Sequence, residues 1–299
     1  MSDGRLGVVM IHGIRSDAKA WAPLRKLIAK DDKLGFVETL PFEYATGVAR
    51  IHPLRVFPTI DTIADSLKEF LVTEAGDFDR LMLVTHSQGG LVAQRCLARM
   101  LGDGAGHDLA RIRRMVMLAC PNNGSELLLS LRRSFLGLGH PQEKDLRPLN
   151  DLVTGTLRTV LRDVVHATAV TDRTCPIEVS VYAGESDGVV TPASAKSVFP
   201  NSAVLPGDHS SILKAETADH RTFTTLRRLM LDIPERAAAP EAPSAAAVPE
   251  APPAAPPTAP PGTVNNTISG GVTNGPVIQA GSVQNVYYSA PPTPPADEE

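Results

Sequence analysis

Three side chains in this sequence have the types and order needed to cleave an acyl bond. In LMLVTHSQGGLVAQRC, Ser87 follows an apolar run and precedes a helical stretch. A strand that turns sharply into a helix pushes the turn residue's hydroxyl clear of the backbone. It also leaves that hydroxyl at the helix N-terminus, which favours developing negative charge. Gly89 and Gly90 give room on the helix side, while Thr85 stands where a glycine would ease the turn most. An ordinary Ser N-cap is the competing reading of the same residues.

A hydroxyl needs a base, and the base needs an orienting acid. On a strand–turn–helix scaffold these follow the serine in the order acid, then histidine. EVSVYAGESDGVV reads as a strand followed by a Gly-flanked turn bearing Asp187, and LPGDHSSILK as a loop bearing His209. Asp172 and Glu185 also fit the acid's position, and Asp208 fits a turn cap. Of the other histidines, His12, His52 and His86 precede or adjoin the serine. His107, His140 and His166 fall in expected loops or inserted helices, and His220 on the closing helix. An oxyanion needs two backbone N–H donors. One is expected at Gln88, beside the nucleophile. The other is expected at Ile14, in MIHGIRSDAKAW, where Gly13 lets the chain turn close to the substrate and His12 orders the loop.

These residues need a scaffold of alternating strands and helices. Strands are expected at Leu6–Ile11, Phe36–Pro41, Leu81–Thr85, Met115–Ala119, Glu178–Ala183 and Ser197–Leu205. Helices are expected at Trp21–Ala29, Thr62–Thr73, Leu91–Leu101 and Thr217–Leu231. Continuous apolar runs spaced by amphipathic stretches imply an α/β fold with a mainly parallel sheet covered on both faces. The chain has 299 residues, 42% hydrophobic and 21% charged, with a net charge of −4. That balance carries no basic excess for nucleic acid. Cys96, Cys120 and Cys175 form no CxxC and cannot all pair, which suits a reducing, cytoplasmic compartment. MSDGRLGVVMIHG reads as neither a signal peptide nor a membrane span. The sequence carries no metal motif and no phosphate-binding glycine loop, so no cofactor is expected.

VVMIHGIRSDAKAW, THSQGGLVAQ, ACPNNGSE, GESDGVV and GDHSSILK, in this order, resemble the lipase and serine esterase group that includes GPI-inositol deacylase-like enzymes. The resemblance spans about residues 5–232. It implies an α/β-hydrolase fold, a triad of Ser87, Asp187 and His209, and action on carboxylic esters, often of lipids. ACPNNGSE departs from the Thr-Pro-His-x-Gly-Ser of relatives, with Cys120 and Asn122 in place of Thr and His, and takes no catalytic role. Residues 126–174 form an insertion of cap or lid type. Leu127, Leu128, Leu131, Phe135 and Leu138, with Arg132 and Arg133, suit an acyl chain or membrane surface. A fixed helical cap suits them equally.

The hydrolase domain is expected to cover 1–233. Residues 234–262 are nearly all Ala and Pro and read as an extended, semi-rigid linker. Residues 263–290 carry no charge and are rich in Asn, Gln and Gly, a composition that favours stacked strands with amide ladders. A Pro and acid tail, 291–299, follows. The segment NNTISGGVTNGPVIQAGSVQNVYY resembles bacterial amyloid signalling motifs related to the RIP homotypic interaction motif (RHIM), with Ala280 smaller than the usual apolar residue of that core. The resemblance implies self-assembly and an NLR-like receptor partner with a matching copy. The expected function is thus an ester hydrolase acting on lipid and tuned by tail-driven assembly. Two other readings stay open. One is a housekeeping carboxylesterase whose tail only oligomerises it. The other is a non-catalytic scaffold that signals through the tail.

Overall fold

The computed structural model describes residues 4–13, 16–44, 59–121, 143–188, 190 and 198–234, with the backbone alone over 143–151. The expectations for Ile14, for residues 127–138 of the insertion, for the linker beyond Pro234, and for the motif and tail at 263–299 lie outside these residues. The chain divides into two units, Met1–Ala239 and Pro240–Glu299, and every described residue belongs to the first.

Six strands, β1 (Leu6–Ile11), β2 (Val37–Phe42), β3 (Arg80–His86), β4 (Ile112–Leu118), β5 (Glu178–Gly184) and β6 (Ser202–Leu205), form one sheet in the order β2-β1-β3-β4-β5-β6. Every pairing is parallel. The helices are α1 (Ala22–Lys30), α2 (Ile60–Thr73), α3 (Gln88–Gly102), α4 (Glu143–Val160) and α5 (Arg221–Leu231), with a π-helical turn at Leu161–Val165 after α4. This is the α/β architecture expected.

Strand alternation explains why the middles of the central strands are mostly apolar. Val9, Ile11, Leu81, Leu83, Met115, Met117, Val179 and Val181 enter one core with residues of α2 and α3. Their neighbours Val8, Met10, Met82, Val84, Val116, Leu118 and Tyr182 enter a second core with residues of α1 and α5. Successive side chains point to opposite faces, so a strand covered on both sides keeps few positions for polar residues, and those near its ends. The edge strand β2 is mostly half-buried instead.

The boundaries shift where local chemistry overrides periodicity. The last strand begins at Ser202, not Ser197. Pro200 cannot donate to a ladder, and pairing with β5 starts only after it, at Val181 with Ser202. α3 begins at Gln88, three residues before the first apolar position, because the turn at Ser87 ends abruptly. α5 begins only at Arg221, where His220 caps it by accepting from the Thr222 N–H at 3.3 Å. Among the described residues no helix is long and apolar enough to cross a membrane.

Arg80, at the start of β3, is the least expected core residue, at 2% exposure. Its guanidinium donates to the carbonyls of Gly4, Ile233 and Pro234, the last at 2.9 Å, and it lies over the Phe36 ring. The fork of N–H groups on arginine suits several carbonyls at once. One side chain thereby ties the segment before β1 to the segment after α5.

Candidate active site

Ser87 occupies the connection between β3 and α3 with φ 52° and ψ −128°. A residue with a Cβ adopts positive φ at a cost on the order of 1–3 kcal/mol, held by surrounding contacts. Those contacts are visible. The Ser87 N–H donates to Leu118 O at 3.1 Å. Gly89 packs against β1 so closely that a Cβ there would lie 2.5 Å from Ile11 O and 2.6 Å from His12 O. Gly90 leaves room for Cys120, whose sulfur would lie 2.5 Å from a Cβ at that position. Cys120 in turn sits 3.3 Å from the Thr85 hydroxyl. Thr85 is therefore accommodated by a glycine and a small thiol on its own face of the sheet. Burial pushes the Cys120 thiol up to about 12, which leaves it a packing group and not a nucleophile.

The Ser87 Oγ lies 2.9 Å from His209 Nε2. The other ring nitrogen, Nδ1, lies 3.1 Å from Asp187 Oδ2. A carboxylate accepts, so Nδ1 carries the proton and Nε2 presents its lone pair to the serine hydroxyl. The Asp187 side chain is fully shielded from solvent while that of His209 is 23% exposed. The second carboxylate oxygen of Asp187 accepts from the Val190 N–H at 3.0 Å, which stops the group from rotating.

The rival acids are placed elsewhere. Asp172 is on the surface near His107, and Glu185 pairs with Arg221 at 3.2 Å, also on the surface. Asp208 caps a turn: its Oδ1 accepts from the Ser210 and Ser211 N–H groups at 2.9 and 2.8 Å. Those N–H groups hold its carboxyl below the usual range. They also set the path of the chain immediately after His209.

Around the serine, the loop after β1 approaches from the other side. A Cβ on Gly13 would lie 2.7 Å from Ser87 Cβ. His12 is buried and stacked on Tyr44, with ring centroids 4.3 Å apart and planes at 5°. The Tyr44 hydroxyl donates to His12 O at 2.6 Å. Burial lowers the pKa of His12 and raises that of Tyr44, so both are neutral props for the loop. Gln88 is the first residue of α3, and its N–H has no carbonyl to bond within the helix.

The sequence alone did not single out Tyr44, Cys120 or a contact of His86. His86 Nε2 lies 2.6 Å from the backbone oxygen of His209, and burial pulls its pKa from 6.5 to about 4. The only local signal was strand alternation, which sends Thr85 and His86 to opposite faces. His52 and His140 lie outside the described residues. Among the described residues no three His, Cys, Asp or Glu side chains converge on a metal-sized site.

No family model matches the chain, and no curated protein matches it in sequence. Solved structures do match in fold. The phospholipase PlaB from Legionella pneumophila superposes with a TM-score of 0.54 at 17% identity, covering 77% of this chain and 60% of that one. The RedJ thioesterase of the prodiginine biosynthetic pathway in Streptomyces coelicolor gives 0.45 at 19% identity, covering 74% of this chain and 85% of that one. A lipase-esterase related protein from Clostridium acetobutylicum gives 0.46 at 12% identity, with coverages of 77% and 95%. The likeness is one of fold. The parallel sheet and its helices are those of the α/β-hydrolase fold.

Proposed function

We propose that this chain is a serine hydrolase that cleaves carboxylic esters through an acyl-enzyme. The observation that carries the reading is the unbroken path from Ser87 Oγ to His209 Nε2 and from His209 Nδ1 to Asp187, set on a strained serine. Ser87 Oγ attacks the ester carbonyl carbon as its proton passes to His209 Nε2. The oxyanion that forms is met by the N–H groups of Gln88 and Ile14. His209 then protonates the departing alcohol. Water repeats the sequence on the acyl-enzyme, with His209 as base, and releases the acid. Asp187 keeps the imidazole in the productive tautomer and stabilises its charged form.

Lipid esters are the substrate class we favour. The lipase and serine esterase resemblance supports this, and so does the insertion 126–174. Within it, α4 and the π-helical turn present an open surface groove lined by Thr154, Leu157, Arg158, Leu161, Arg162 and His166. Apolar side chains beside cationic ones suit an anionic amphiphile. Three free, buried cysteines support a reducing, cytoplasmic setting. A fluorophosphonate probe tests the core of the reading, because it labels only an activated serine. The expected result is a single adduct on Ser87 in the wild type and none in Ser87→Ala. A wild-type protein that resists the probe would count against an enzyme and favour a scaffold.

We further propose that residues 263–290 assemble the hydrolase, joined to it by the 234–262 linker, in response to an NLR-like receptor with a matching motif. The absence of charge and the run of Asn and Gln support stacking. A peptide spanning Thr263–Ala290 is expected to form fibrils with spacings of about 4.7 and 10 Å in fibre diffraction. Gln279→Lys should prevent this, since like charges would repel at every layer. A wild-type peptide that stays soluble when seeded would remove assembly from the reading and leave the hydrolase intact.

A further inference from the structure

His86 touches the triad, and the reaction scheme does not use it. It is the last residue of β3, paired across the sheet with Leu118, and it immediately precedes the strained serine. The residue is 7% exposed. Nε2 reaches the backbone oxygen of His209 at 2.6 Å. A carbonyl oxygen only accepts, so the proton sits on Nε2. Nδ1 is left as a lone pair, buried and without a hydrogen-bond partner among the described residues. The two imidazoles are 5.3 Å apart and tilted by 49°, so the N–H···O bond and not ring stacking is the contact. A buried polar atom left unpaired is a cost that native proteins seldom carry without a return.

We propose that His86 is a positioning residue for the catalytic base, holding the main chain of His209 through its Nε2–H. The inference rests on the triad reading above. Asp187 and Ser87 fix the two ends of the His209 ring, but neither fixes the backbone from which the ring hangs. Asp208 sets the chain after His209 through the Ser210 and Ser211 N–H groups. The His209 carbonyl is the remaining handle, and His86 holds it. His86 and Ser87 are adjacent, so one strand end carries both the nucleophile and the anchor of its base. A shift of that strand end moves the two together and preserves the 2.9 Å contact between them.

Steady-state kinetics on a soluble p-nitrophenyl ester test this with wild type, His86→Phe, His86→Gln and Ser87→Ala. Phenylalanine fills the space without a donor. It is expected to lower kcat by about ten- to a hundredfold, the scale of a sub-ångström to 1 Å misplacement, with KM little changed. Glutamine places an amide N–H near the position of Nε2 and is expected to restore most of the loss. A phenylalanine variant as fast as wild type overturns the inference, and so does a glutamine variant as slow as phenylalanine. If the phenylalanine variant does not fold, ring ¹⁵N NMR of the wild type decides. An Nε2–H tautomer at His86 supports the role, and an Nδ1–H tautomer overturns it. Activity that survives Ser87→Ala would bring down the triad reading and this inference with it. An inactive Ser87→Ala beside a fully active His86→Phe would overturn the inference alone.

Discussion

Replacing Ser87 or His209 by alanine should lower ester turnover by about 10⁴–10⁶, because a nucleophile and its base act as one unit. The geometry sets the expectation. The Ser87 hydroxyl has a base 2.9 Å away, and the serine sits where no other hydroxyl could replace it without the same positive φ. Asp187→Asn should cost on the order of 10⁴ for a more specific reason. The Val190 N–H holds one carboxylate oxygen at 3.0 Å. In the asparagine variant that N–H keeps the amide oxygen, so the amide NH₂ faces His209. Nδ1 must then accept, the ring proton moves to Nε2, and the serine loses its proton acceptor. All three variants should fold and keep their melting temperature within a few degrees. Initial rates on an activated ester, with active-site titration, check this. A Ser87→Ala protein of undiminished rate would end the proposal of an acyl-enzyme.

Gly13→Ala should give the next largest loss, about a hundredfold in kcat/KM, without any catalytic side chain being touched. A Cβ there would meet Ser87 Cβ at 2.7 Å, with Ser87 Oγ and His86 O each at 3.2 Å. None of these atoms is the loose end of a long side chain, so either the serine or the whole loop must move. The loop is held on its far side by the stack of His12 on Tyr44 and by the Tyr44 hydroxyl. It cannot retreat freely, and the misfit falls on the nucleophile. Gly102→Ala is the control, because nothing lies within 4 Å of a Cβ at that position. It should leave kcat/KM unchanged. Equal rates for Gly13→Ala and wild type would show that the loop after β1 plays no part in the site.

The positions of Ser87, Asp187 and His209 were legible because each follows a strand, and parallel strands deliver the loops at their C-terminal ends to one edge of the sheet. The two-faced burial of the sheet was legible for a related reason. Strands such as Leu81–Val84 have no polar position, and only a sheet covered on both sides asks for that. What stayed hidden depends on contacts between distant parts of the chain. Thr85 looked like a defect in the turn until Gly90 and Cys120 were seen to make its space. His86 looked like a spare histidine because the oxygen it holds belongs to a residue more than a hundred positions away. Asp187 could not be separated from Asp172 and Glu185 by order alone. The Gly-flanked turn after a strand favoured it, and the buried contact with His209 is what the structure adds. The late start of β6 was readable from Pro200, but the apolar alternation before it was the louder signal.

Arg80 bears on how this protein can be handled as a material. It grips the carbonyls of Ile233 and Pro234 at the start of β3, whereas Ser87 lies just past the other end of that strand. Seven residues of strand span about 23 Å at the usual rise. The described chain therefore leaves the fold at Pro234, at the end of β3 opposite Ser87. Arg80 ties that point of departure to the start of a central strand through a buried guanidinium. An anchor placed at Pro234 would therefore sit at one end of β3 and the strained serine at the other.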